Sequence, residues 1–193
     1  MQNAARISLL ARVARSFSAL GPVPSDTPVS ILSLAATSYG ARPSGDATVP
    51  TGFDPLAIAL FEAIVEGAFL VANADGVFDA NERRAFESVV VAACGGAIAP
   101  RQIEELVGDL GAQLRDEGIE RRIEAVARAV TKREHAHEIL RIAALLAQVS
   151  EDVSSVERDV LMRIAVRCGL HERDVDSALA DVALLLAVPP IAN

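Results

Sequence analysis

From about residue 54 to the C-terminus, apolar side chains recur at the three- and four-residue spacing of helices buried on one side. The spacing predicts seven helices, at about 54–74, 79–94, 100–116, 119–131, 133–149, 154–168 and 172–187. Local signals agree with these limits, because Asp54-Pro55 can begin a helix, and Gly95 and Gly169 each follow a cysteine that ends one. No stretch alternates with period two for long enough to compete as a strand. The chain is therefore predicted to be all-α, a compact bundle of about seven helices.

The N-terminal segment, residues 1–20, has the pattern of an amphipathic helix. Its apolar stripe contains Ile7, Leu10, Val13 and Phe17, the arginines lie off the stripe, and no acid precedes Asp26. Three uses of this helix remain open: packing on the body, docking on a membrane surface or a protein partner, and targeting.

Residues 21–53 are rich in Pro, Ser and Gly, which is typical of a linker. Within them only Val29 to Leu34 is apolar enough to bind something, either as a short helix on the body or as a recognition segment. The predicted organisation is thus an N-terminal helix at 1–20, a linker at 21–53 and a helical domain at 54–188.

An internal repeat with an offset of 75 residues relates two of the predicted helical hairpins. Ile64 aligns with Ile139, and Asp79-Ala80-Asn81-Glu82 aligns with Ser154-Ser155-Val156-Glu157. Both tetrads are capping boxes, in which an Asp or Ser side chain and a Glu three residues later bind each other's backbone amides. The repeat predicts two duplicated hairpins, each with an acidic turn, which bury their apolar stripes against one another.

The turn of the first hairpin carries candidate metal ligands. Asp75, Asp79 and Glu82 lie within eight residues, and Glu66 lies on the preceding helix. Calcium, magnesium and manganese prefer clustered oxygens, so a divalent cation is one interpretation. The other needs no metal, because Gly76 can end one helix while Asp79 and Glu82 cap the next.

The second turn, Ser150 to Glu157, is also acidic. Glu151 and Glu157 would add cation ligands if the two turns share one surface. Neither turn is an EF-hand: counted from Asp75, the sixth position of the first turn is Ala80 rather than Gly, and the twelfth is Phe86 rather than Glu.

These motifs together resemble a known family. The motifs are Ala74-Asp75-Gly76-x-Phe78-Asp79-x-x-Glu82, the second turn with Glu157, and Leu161-x-x-Ile164-Ala165-x-x-Cys168-Gly169-Leu170. They are similar to the tellurite-resistance TerB family and its wider TerB-like superfamily over about residues 56–186. The resemblance implies a bundle of about seven helices with a shared acidic, metal-binding surface. It also implies a role in tellurite or chemical-stress systems, often near the membrane, as an interaction module rather than an enzyme.

The family's turn residues carry over position by position. Asp75, Asp79 and Glu82 match the first turn, and Glu157 matches its second copy. Ser150-Glu151 stands where that copy would carry Asp-Gly, which is a departure from the family pattern.

Charge and composition narrow the classes of function. The net charge is −8, and the excess of acids lies in the body, which disfavours binding of nucleic acid. The apolar content of 51% excludes wholesale disorder, and two cysteines exclude a disulfide scaffold. Cys94 and Cys168 are expected to be free thiols in a reducing cytosol. No uncharged run reaches the roughly 18 residues of a membrane span, so an integral membrane protein is not expected.

Catalytic signatures are missing from the sequence, which has no nucleophile elbow, phosphate loop or dinucleotide fingerprint. The start of the helix at 133–149, Glu134-His135-Ala136-His137-Glu138, is expected to be a solvated first turn. The competing interpretation is a metalloenzyme site formed by Glu62, Glu66, His135 and Glu138.

The sequence thus favours a non-enzymatic, cytoplasmic TerB-like module that binds a divalent cation through its acidic turns and docks a protein partner. Association with a membrane through residues 1–20 is an open option. The alternative is a metal-free structural interaction module whose acidic turns only cap helices.

Overall fold

The computed structural model describes residues 2–17, 31–41, 54–148 and 153–187. In those ranges the chain forms helices and no strand, which confirms the all-α prediction. The helices are α1 (Gln2–Ser16), α2 (Ile31–Gly40), α3 (Pro55–Ala72), α4 (Ala80–Ala93), α5 (Pro100–Glu117), α6 (Ile119–Ala129), α7 (Arg133–Ala147), α8 (Ser155–Arg167) and α9 (Glu172–Ala187). The described part of the bundle thus has nine helices rather than about seven, because α1 and α2 also pack on the body. The duplicated hairpins stay a prediction.

The centre of the core is the contact between α3 and α7, the most extensive helix pair in the described chain. Phe61, Ile64, Leu140 and Leu145 are fully buried there. Each such side chain contributes roughly 1.5–3 kcal/mol through the apolar surface that it removes from water. Gly67 permits the close approach, since a Cβ at that position would lie 2.7 Å from Ile139 Cγ2.

Side chains at the helix starts explain where the central elements begin. The Asp54 side chain accepts a hydrogen bond from Leu56 N, and Pro55 occupies the first turn of α3. The α3 helix ends at Ala72, and the next residue, Asn73, caps it through its backbone N–H, which donates to Phe69 O.

The apolar stripe of α1 lies inside the fold. Leu10, Val13, Ala14 and Phe17 are buried, and α1 packs mainly on α4, with further contacts to α7 and α9. Arg6 Nε donates to the backbone carbonyl of Gln148, just after α7. Of the three uses left open for this helix, the structure shows packing on the body.

The apolar part of the predicted linker forms α2, which lies on α3 and also contacts α7. Leu32, Ala35, Ala36 and Tyr39 are buried. The ring of Tyr39 packs on that of Phe61 with 4.7 Å between centroids. The stretch therefore forms a short helix that packs on the body, which is one of the two alternatives that the sequence predicted.

By length and composition, α3 is the one helix of the described residues that could cross a membrane. Its most apolar window is 67% buried inside the fold, as for the core helix of a bundle. A single buried helix of this kind is weak support for a membrane span.

Candidate functional site: acidic turns, a buried glutamate and a groove

Every carboxylate of the first acidic turn accepts a hydrogen bond from a nearby backbone amide. Asp75 Oδ1 accepts from Val77 N at 2.9 Å. Asp79 Oδ1 accepts from the amides of Asn81 and Glu82, at 2.6 and 2.9 Å. Glu82 Oε2 accepts from Asp79 N at 2.9 Å, which completes the capping box of α4. The hydrogen bonds from Glu82 N and Asn81 N lower the pKa of Asp79, because they favour its charged form.

The second turn is built around the corresponding capping box of α8. Glu157 Oε2 accepts from Ser154 N at 2.7 Å, and Ser154 Oγ accepts from Glu157 N at 3.2 Å. Both predicted capping boxes are therefore present. The candidate ligand Glu151 lies outside the described residues.

Glu66, the candidate ligand on α3, is buried and paired with Arg122 of α6. Arg122 Nε lies 2.5 Å from Glu66 Oε1, and its Nη1 lies 3.2 Å from Glu117 Oε2. Burial raises the pKa of Glu66, and the hydrogen bond and charge of Arg122 oppose that rise. Glu66 thus links α3 to α6.

Sequence reasoning missed Arg122. The signal for it was its position three residues after Ile119 and four before Val126, which places it beside the apolar stripe of α6.

The described residues contain no group of three or more His, Cys, Asp or Glu side chains arranged to hold a metal ion. The predicted ligands Asp75, Asp79, Glu82, Glu66 and Glu157 instead have the backbone and arginine partners given above. A calcium, magnesium or manganese site stays a prediction.

The two histidines of α7 face different neighbours. His135 Nδ1 lies 3.3 Å from Thr131 Oγ1. His137 Nε2 lies 4.0 Å from Asp174 Oδ1 on α9 and 3.4 Å from Arg133 Nε. Burial is the main reason that the pKa of each histidine is lowered.

Glu138 corrects the expectation that the start of α7 is a solvated turn. It is 2% exposed, and its Oε1 accepts from Leu32 N of α2 at 3.4 Å. Burial raises its pKa to about 7, with Leu32 N–H and Arg141 acting in the opposite direction. The physical reason for its burial is that α2 lies on α7, a contact that local sequence does not reveal.

A groove, here called the α2–α3 groove, runs beside α2 and the start of α3 to the connection between α6 and α7. It comprises two adjoining cavities of about 390 and 460 Å³ that share Asp54, Ala57, Leu60, Lys132 and His135. Leu34 of α2 and Leu56 of α3 line it and are largely exposed, although large apolar side chains usually avoid water. Arg128 lines the first cavity.

Both cysteines are free thiols. Burial raises the pKa of Cys94 to about 12 and that of Cys168 to about 11. Neither thiol is therefore an activated nucleophile near neutral pH.

In comparisons with known proteins, no family model matches this chain, and neither a curated protein nor a solved structure matches it significantly.

Proposed function

We propose that this chain is a non-enzymatic helical interaction module whose acidic turns cap helices. The observation that supports this is the hydrogen bonding of the described candidate ligands, each of which accepts from a backbone amide or from Arg122. One carboxylate oxygen each of Asp79, Glu82 and Glu157 holds the capping boxes that begin α4 and α8. The carboxylates thus have a structural use in the absence of metal.

We propose the α2–α3 groove as the docking surface. Ala57 and Leu60 give it apolar lining, and Leu34 and Leu56 add exposed apolar surface. Among the described residues Arg128 has no ion-pair partner, although the chain as a whole is acidic.

The other charged groups of the groove are already engaged. Lys132 Nζ lies 3.6 Å from Glu134 Oε1, and Asp54 caps α3. The partner that fits is therefore a protein segment that inserts an apolar side chain and carries a carboxylate to meet Arg128.

The test compares two matched leucine substitutions. Leu56 in the groove and Leu184 on α9 are 72% and 69% exposed, so Leu56→Glu and Leu184→Glu each place the same charge on a side chain that already meets water. A partner isolated from native cells with the wild-type chain is purified and titrated against each variant. We expect Leu56→Glu to weaken binding at least tenfold and Leu184→Glu less than twofold. Equal effects of the two substitutions, or no effect of Leu56→Glu, would refute docking in the groove.

The second candidate, implied by the TerB-like resemblance, is a divalent cation at the first turn. Asp75 favours it, because its side chain is exposed and its one described hydrogen bond, from Val77 N, engages Oδ1. Calorimetry with calcium, magnesium and manganese on the wild type and Asp75→Asn distinguishes the two proposals. Binding that Asp75→Asn abolishes would support the cation. If the wild type shows neither a heat of binding nor a rise in melting temperature with these metals, the cation proposal is refuted and the metal-free module is supported.

A further inference from the structure

A carboxylate on another helix accepts a hydrogen bond from the first turn of α2. Leu32 N, in that turn, donates to Oε1 of Glu138 on α7. Amides in the first turn of a helix have no acceptor within the helix, so an acceptor from outside stabilises the end. The same contact excludes water from Glu138, whose exposed fraction is 2%.

The surroundings of Glu138 favour its neutral form. Within the part of the chain that the structure describes, its carboxylate has no cation within ion-pair distance. Arg141, the cation that acts on it electrostatically, has its Nη2 3.4 Å from Asp181 Oδ2 of α9. An ionised carboxylate that leaves water without a paired cation is strongly disfavoured, and burial accordingly raises the pKa of Glu138 to about 7.

Charged groups on the helices around α7 are mostly committed to other partners. On α2 the one titratable side chain is Tyr39. The charged side chains of the other packed helices are Arg6, Arg12 and Arg15 on α1, Glu62 and Glu66 on α3, Arg158, Asp159, Arg163 and Arg167 with Glu157 on α8, and Glu172, Arg173, Asp174, Asp176 and Asp181 on α9. Of these, Glu66 pairs with Arg122, Arg158 with Asp176, and Asp181 with Arg141.

We propose that the docking of α2 on the body is coupled to protonation of Glu138. While Glu138 carries a proton, α2 stays docked on α3 and α7. When Glu138 is ionised, α2 opens more readily, because opening returns the carboxylate to water. The inference does not rest on the proposed partner docking, although α2 forms one wall of the α2–α3 groove.

The direction and size of the coupling follow from proton linkage. The docked form binds the proton more tightly than the open form, in which Glu138 has its ordinary pKa of 4.5. Between that value and about 7, the opening constant therefore rises with pH, by roughly five- to sevenfold per unit from pH 5 to pH 7. From pH 5 to pH 8 we expect an overall increase of roughly fifty- to a hundredfold.

Opening would uncover apolar surface on both sides of the contact. Leu32 and Ala36 would leave the core, and the ring of Tyr39 would separate from Phe61. Tyr39 is the sole tyrosine and the chain has no tryptophan, so intrinsic fluorescence reports on α2 alone.

The experiment measures opening of α2 at several pH values between 5 and 8 in the full chain. Amide hydrogen exchange, corrected for the intrinsic rate at each pH, gives opening constants for α2 and for the central helices α3 and α7. Acrylamide quenching of Tyr39 gives an independent measure for α2. We expect the α2 constant to rise fifty- to a hundredfold, while opening of α3 and α7 stays much rarer than opening of α2 at every pH.

Two substitutions on α7 provide the comparison. Glu138→Gln keeps the shape and removes the charge, so the α2 opening constant should vary less than threefold over the same range. Glu134→Gln removes an exposed carboxylate one turn away and should retain the wild-type dependence. The proposal is overturned if wild-type α2 opening is independent of pH, if Glu138→Gln keeps the dependence, or if α2 and α3 open together with one constant. The first and third of these outcomes are measured on the wild type, so they remain decisive even if Glu138→Gln does not fold.

Discussion

The buried pair between Glu66 and Arg122 yields a quantitative prediction about stability. The two side chains are 7% and 13% exposed and their charged atoms lie 2.5 Å apart. Removal of one partner leaves the other charge buried and unpaired, which typically costs about 3–5 kcal/mol. We expect Arg122→Met to lower the free energy of unfolding by this amount at pH 8. Loss of the contact between Arg122 and the half-exposed Glu117 adds little to the cost.

The pH dependence of Arg122→Met has a definite sign. Burial already raises the pKa of Glu66, and without Arg122 nothing of comparable strength opposes that rise. The native variant therefore binds a proton that the unfolded chain releases at the same pH, so its stability falls as pH rises above the ordinary value of 4.5. We expect the deficit relative to the wild type to shrink toward pH 5.

A double substitution separates the charge effect from the packing effect. Glu66→Met with Arg122→Met replaces the pair by apolar side chains of similar length, and such replacements are often neutral or stabilising. Urea unfolding followed by far-ultraviolet circular dichroism measures all three chains. A cost below about 1 kcal/mol for Arg122→Met at pH 8, or a double variant as unstable as the single one, would refute the reasoning.

Three further predictions concern packing, capping and thiol reactivity. Gly67→Ala places a Cβ 2.7 Å from Ile139 Cγ2 and should lower the melting temperature. Gly111→Ala, whose nearest contact is at 3.5 Å, should raise the melting temperature, and the opposite order would contradict the packing argument. Ser154→Ala removes the acceptor for Glu157 N and should lower the free energy of chemical unfolding by about 0.5–2 kcal/mol. Ser155→Ala should leave that free energy nearly unchanged, and equal costs of the two substitutions would argue against the capping box. In the folded chain an aromatic disulfide reagent should modify the half-buried Cys168 before the buried Cys94, and both reaction rates should rise with pH. Faster modification of Cys94 would contradict its burial.

Local sequence was sufficient for the helices of the body. The limits of α3 to α9 lie within two residues of the ranges that apolar spacing predicts. The reason is that caps and breakers act over a few residues, as Asp79 and Ser154 do at the starts of α4 and α8.

Contacts between distant segments were not accessible in the same way. Glu138 lies near the polar start of a predicted helix, and its burial depends on α2, whose Leu32 precedes it by 106 residues. Arg122 is one of several arginines on α6, and its selection by Glu66 depends on how α6 crosses α3. In both cases the sequence pattern gives the helix, and tertiary packing decides which charged side chain is taken out of water.

The position of α1 and α2 affects how shortened forms of the chain would behave. A chain that begins at Asp54 would keep α3 to α9 but lose the side chains of Leu10, Phe17 and Tyr39 from the interior. The faces of α3 and α4 that these helices cover would then meet water as continuous apolar surface, which favours self-association. Any difference in membrane or partner binding between such a fragment and the intact chain would therefore include the effect of this newly solvated surface.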